Sequence, residues 1–264
     1  TAQAERMLRD RRSRAKLHAF LVDWLGVDQP PELLKDPSQF PQFTPRVAAS
    51  MRTSLHLQLD ALLDDATSGR SADFRTLLTD TRIYLDHPLG AFFGVEVPRT
   101  RGYRPVVLDE GQRAGMLTHP YLLSLRAYTD DTSPIHRGVF LTRNLLGNVL
   151  KPPPEAVTPL AADLHPGLTT RERVSLQTAP VGCQSCHAMI NELGFSLETF
   201  DAVGRFRSEE LAGDSPQPID ASGSYVPREG ETVAFNGGRE LAAFLATSQD
   251  CQEAFVQDLF HALA

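Results

Sequence analysis

The residues best suited to chemistry form one pentapeptide, Cys183-Gln184-Ser185-Cys186-His187. Two thiols three residues apart, followed at once by an imidazole, have the spacing of c-type haem attachment. The thiols reach the two vinyl groups of one porphyrin, and the histidine meets the iron from the proximal side. Two other chemistries use paired cysteines. A redox-active dithiol belongs in a βαβ setting, and none surrounds this pair. A zinc site needs four ligands, so Cys251 and a distant histidine would have to join. The expectation is one covalent haem c, with Cys183 and Cys186 as anchors and His187 as proximal iron ligand.

A six-coordinate iron needs a second axial donor, usually Met or His. The distal candidates are Met51 and His119. Met51 lies on an apolar helical stripe, whose usual use is core packing. His119 follows Gly115-Met116-Leu117-Thr118 and precedes Pro120, a loop-like setting. Met116 and His136 are weaker candidates, and an open site is the remaining choice. Met189, two residues past the proximal histidine, reads as packing. Arg205 is the first candidate for holding a haem propionate, ahead of Arg137, Arg143 and Arg207, because a guanidinium fork meets carboxylate oxygens two at a time. Phe195, with Leu197 and Phe200, is expected to line the haem face. Asp220-Ala221-Ser222-Gly223 carries too few oxygens for a cation loop and reads as a turn.

The elements that must position these groups are mostly helical. Apolar periodicity predicts helices over 1–26, 46–65 and 72–85. Tyr103, Val106 and Leu108 suggest a strand or extended loop within 95–110. Residues 115–128 look partly helical. Thr132-Ser133-Pro134 reads as a capped helix start, with the helix running to about 146. The run Lys151-Pro152-Pro153-Pro154 is the candidate boundary. It divides a helical domain, 1–150, covering the distal haem side, from a haem-attachment domain, 151–264. The second part predicts a helix near 170–177, loops with a short hairpin over 205–236, and closing helices at 238–246 and 249–264. The fold class is therefore mainly α with minor β: helices and long loops wrapped around one haem.

Composition narrows the partners. The chain has 264 residues, 41% of them hydrophobic, enough for a sizeable core. Asp and Glu (33) outnumber Lys and Arg (26), giving a net charge of -7, which speaks against nucleic acid. No apolar run approaches the roughly 18 residues that a membrane span needs. Haem c is attached outside the bacterial cytoplasmic membrane, so the motif implies a periplasmic or exported protein. The sequence opens and closes within helical patterns, which predicts a piece of a longer chain. Its partner is then a redox protein or other domains of that chain.

Residues 183–207 read CQSCHAMINELGFSLETFDAVGRFR. This stretch resembles the cysteine-motif domain of the planctomycete-type cytochrome c family, in which CxxCH is followed by LGF and a DA-G-R turn. Here those are Leu193-Gly194-Phe195 and Asp201-Ala202-Val203-Gly204-Arg205. Further family marks appear in order: Gly115 to His119, Thr132 to Gly138, Asn144 to Gly147, the proline run, and Ile219 to Gly223. The chain departs at Met51-Arg52-Thr53-Ser54-Leu55, where the family has a glutamate. The resemblance implies a large exported protein built from domains of unknown function, and it carries no settled activity. An electron-transfer module is the first expectation. A haem enzyme of peroxidase or oxygenase type, with an open distal site, is the alternative, and a zinc-stapled interaction domain the third.

Overall fold

The computed structural model describes residues 10–27, 32–67, 73–100, 102–109, 111–151 and 165–263, together with Gln3 and Arg6. The proline run at 152–154 and the first apolar pair of the opening helix, Met7 and Leu8, lie outside the described residues.

The chain is mainly α, with three two-stranded antiparallel sheets among the described residues. Helix α1 (Arg11–Trp24) starts where the Asp10 carboxylate accepts from the Arg12 N–H, and it buries Phe20, Leu21, Val22 and Trp24. Helix α2 (Pro45–Thr67) carries Val47, Met51, Leu55, Leu59 and Leu63, one every fourth residue, all buried. That spacing keeps a single stripe on the core side.

The sequence predicts a third helix reaching Leu85, and the structure corrects this. Helix α3 (Phe74–Thr79) stops early, and Arg82–Leu85 is strand β1, paired with β2 (Arg104–Val107). Leu78 and Leu85 are seven apart and suit a helix, but Ile83 and Leu85 also suit the inward face of a strand. Asp80 decides locally: its carboxylate accepts from the Arg82 N–H and side chain, closing a turn where the helix would continue. Helix α4 (His87–Phe93) follows, capped by Asp86 and ended by Gly94 in the left-handed conformation.

Helix α5 (Pro120–Leu125) and helix α6 (Pro134–Phe140) each begin with proline, whose missing N–H costs nothing there. Beyond α6 the chain widens into a π turn over Leu141–Leu145. Helix α7 (Thr170–Gln177) opens with a reciprocal Thr169–Glu172 capping box. Helix α8 (Val181–Phe195) bears the cysteine motif. Two hairpins occupy the region expected to hold one: β3 (Glu209–Ala212) with β4 (Ser215–Pro218), and β5 (Ser222–Tyr225) with β6 (Val233–Asn236). Helices α9 (Gly237–Thr247) and α10 (Gln249–Leu263) close the chain.

One apolar core runs from Phe20 to Cys251, continuous across the proposed division at 151, with α3 packing on α9. Helix α8 is fixed between α6 and β5 by backbone contact. A methyl group at Gly194 would lie 2.0 Å from the Pro134 carbonyl oxygen, and one at Gly138 would lie 2.0 Å from that of Ile190. On the other side, Gly223 of β5 has the Glu192 carbonyl oxygen 2.2 Å from its missing Cβ. Contacts at 134 with 194 and 138 with 190 make α6 and α8 antiparallel.

This crossing predicts that Gly194→Ala lowers unfolding free energy by about 1–3 kcal/mol, the range for overpacking. Gly182→Ala, on the same helix but with nothing within 4 Å of its missing Cβ, should stay within about 1 kcal/mol of the parent. Urea unfolding of the two variants measures the difference. Equal midpoints would remove the close crossing from the account.

Candidate functional site

The site begins at Pro180, which precedes the first turn of α8 and ends the short link from α7. An α-helix advances about 100° per residue, so Cys183, Cys186 and His187 fall within an arc of about 100°. All three side chains are half-buried, and the same stripe continues inward as Ile190 and Gly194 against α6. Both thiols are free. The outer half of the stripe is thus available to a ligand, while its inner half is locked in the fold.

His187 is the best-anchored member. Its Nδ1 lies 3.1 Å from Asn191 Oδ1. The Asn191 amide donates to Thr178 Oγ1 at 2.8 Å, and the Thr178 hydroxyl donates to the Val174 carbonyl at 2.8 Å. Asn191 and Thr178 are buried. The Nε2 atom of His187 meets no protein hydrogen-bond partner among the described residues. Sequence reasoning missed Asn191, although its place one helical turn after His187 was a usable signal.

Exposed apolar side chains flank the motif in sequence, with Val181 on the opposite side of α8 from it. Val181, at the start of α8, is 87% exposed, and Leu176, near the end of α7, is 52% exposed. The π turn packs against α8, and within it Thr142 is buried with a hydroxyl that meets no hydrogen-bond partner among the described residues. Single π turns within helices are frequent at functional sites. Met189 faces elsewhere: it packs on the core, and its sulfur accepts from the Asn148 amide.

Met51 and His119, the distal candidates, sit in the core around α2. Met51 is sealed in the α2 stripe. The His119 ring caps α5: Nδ1 accepts from the Tyr121 N–H at 3.1 Å, and Nε2 lies 3.3 Å from Ser54 Oγ. Since Nδ1 accepts, the proton is on Nε2, and neither nitrogen has a lone pair to spare. Burial, aided by the Arg113 charge, pushes its pKa down to about 3.

The remaining candidates are spread along other contacts. Phe195 is buried under the Arg171 guanidinium, 4.3 Å from its ring, at the inner end of α8. Twelve residues separate it from Cys183, about 18 Å along the axis. Arg205 reaches back to Gln42 and the Phe92 carbonyl, with its guanidinium 4.1 Å over the Phe92 ring. Arg137 is fully buried and Arg207 is paired with Glu198, while Arg143 donates to the Leu150 carbonyl on the surface. Cys251 is sealed in α10, its thiol pushed up to about 12 by burial and the neighbouring Asp250. Among the described residues no group of three or more His, Cys, Asp or Glu could hold a metal ion.

A cavity of about 930 Å³ is lined by the 127–133 loop, α7 and the 201–207 turn, and by none of the motif residues. Both arginines in its wall already have partners, Arg173 with Asp131 and Arg207 with Glu198. An anion entering it would have to displace one of them.

Residues 1–95 match the family model PSD4, and residues 113–210 match PSCyt3, each described as a protein of unknown function (DUF1592 and DUF1588). Such names are typical of planctomycete cytochrome c-associated domains. The second match spans the cysteine motif, and its description assigns no role to it. No curated protein and no solved structure is significantly similar to this chain.

The buried cap has an acid signature. The folded pKa of His119, about 3, lies below the ordinary value of 6.5. Its contribution to stability is therefore complete above about pH 6.5 and is lost as pH falls towards 3, because only the unfolded chain takes up the proton in that window. The loss attributable to this group is on the order of 5 kcal/mol. His119→Asn keeps an acceptor for the Tyr121 N–H but cannot titrate. Its urea-unfolding free energy should fall less steeply over this window than the parent's. Parallel slopes would show that His119 is not held as a neutral cap.

Proposed function

We propose that this chain is a c-type cytochrome module that carries electrons through one covalent haem. The observation that carries the reading is the common face of Cys183, Cys186 and His187 on the outer turns of α8, with His187 anchored from behind by Asn191. The donor set suits the group. Cys183 and Cys186 are free, half-buried thiols, and His187 has a nitrogen with no hydrogen-bond partner among the described residues. Haem held there supplies one-electron exchange at iron. The protein's part is to fix the thiols on a rigid helix and to orient the imidazole.

In this reading the protein is periplasmic or exported, because that is where haem c is attached. The partner is a redox protein or another domain of a longer chain. Among the described residues no helix is long and apolar enough to cross a membrane.

A second reading, a haem enzyme with an open sixth position, draws support from Met51 and His119. Both are engaged in the core around α2, so neither offers iron a free lone pair without rearrangement of that packing. Carbon monoxide separates the two readings. A carrier with six ligands gives a low-spin spectrum and ignores the gas, whereas an open site is high-spin and binds it at once.

The haem itself has a direct test. Protein made in a periplasm and then denatured should keep its colour and weigh about 616 Da more than the peptide, since thioethers survive unfolding. Changing both Cys183 and Cys186 to Ala should abolish the added mass. His187→Ala should retain it but lose the low-spin spectrum. A mass equal to that of the bare peptide ends the haem reading.

A further inference from the structure

We infer that Asn191 is the positioning residue of this site: it fixes His187 as the Nδ1–H tautomer, leaves Nε2 as the ligating nitrogen, and sets the donor strength of the imidazole. The inference deepens the haem reading and rests on it for its redox consequence. The tautomer follows from the protein alone.

The argument starts at a group that can only accept. The Val174 carbonyl takes the Thr178 hydroxyl proton at 2.8 Å, as well as the Thr178 backbone N–H at 3.0 Å. With its single proton spent, Thr178 Oγ1 faces Asn191 only as an acceptor. The end of Asn191 that lies 2.8 Å from it must be the NH₂ end. The oxygen end then faces His187 at 3.1 Å, and His187 Nδ1 must donate. A neutral imidazole carries one ring proton, so Nε2 is left with a lone pair. Asn191 is 9% exposed and Thr178 5%, so bulk water does not compete strongly for these bonds.

This relay resembles an outer shell around a metal-bound histidine, where an acceptor on the far nitrogen fixes the ring and raises its basicity. A neutral amide oxygen is a moderate acceptor. A carboxylate in its place would draw the Nδ1 proton harder and favour oxidised iron. An apolar side chain would leave the imidazole a weaker donor and favour reduced iron. The tether is also local: α7 is held by its own capping box, and α8 by the glycine crossing, so both ends of the relay are fixed before any ligand arrives.

Two measurements on the full chain test this. In haem-free protein, nitrogen NMR of the neutral His187 ring should show the proton on Nδ1. Thr178→Val, which frees Asn191 to turn over, should mix the tautomers, and Thr178→Ser should restore the single form. In haem-loaded protein, Asn191→Leu should raise and Asn191→Asp should lower the midpoint potential, each by about a tenfold change in the reduction equilibrium, or about 59 mV for one electron. A proton found on Nε2 in the parent overturns the inference, as do Asn191→Leu and Asn191→Asp proteins with unchanged potentials. Should Asn191→Leu fail to fold, the Thr178 pair still decides. A parent that carries no haem sinks the proposed function, and the tautomer measurement then decides the inference by itself.

Discussion

The contact between α6 and α8 is the constraint on which the site depends. Two backbones touch there, with Gly138 under the Ile190 carbonyl and Gly194 under that of Pro134. No side chain intervenes, so the register cannot slide by a turn without a clash. That register places the π turn beside the outer half of α8 and sends the inner half between α6 and β5. The cysteine motif stays half-buried because the close backbone crossing lies nearer the other end of its helix.

Around this crossing, cations tie irregular chain to the core. Arg137 donates to the carbonyls of Leu197, Phe200 and Asp201 as well as to Glu198. Arg113 bridges the Thr118 and Gly204 carbonyls, and Lys35 those of Ser124 and Tyr128. Arg126 reaches the Leu25 carbonyl. Among the described residues the sheets are small and two-stranded, so many loop carbonyls lack a strand to pair with, and buried carbonyls need donors. Long cationic side chains supply them. Burial, aided by the Arg137 charge, pushes the Lys35 ammonium down to about 8, the direction expected when a charge gives up water for this role.

Much of the fold was readable because local signals agreed with the tertiary outcome. The stripe from Val47 to Leu63, the Ser133-Pro134 start and the Thr169–Glu172 box each specify a helix without outside help. Strand β1 was not readable, since Leu85 continues a helical pattern from Leu78 and equally a strand pattern with Ile83, and only pairing with β2 separates the two. At the site, the three motif residues were legible from spacing alone. Their support was not. Thr178 reaches Asn191 across thirteen residues and two helices, a contact that no local pattern announces. His119 misleads for a related reason. A loop histidine before proline looks free in sequence, yet its ring replaces the usual Ser or Asp at a helix start.

The carbonyl-seeking cations also bear on how the chain reaches this structure. Arg137 and Leu197 are 60 residues apart, Lys35 and Ser124 are 89, and Arg113 and Gly204 are 91. Until those distant segments arrive, each cation keeps its water, and burying it early is unfavourable. Ordering by local helices is quick, whereas closing such long loops is slow. The guanidinium and ammonium ties are therefore expected to form late on the route. The outer turns of α8 carry none of these ties, so the two thiols, half-buried in the folded chain, need not await that closure to be reached.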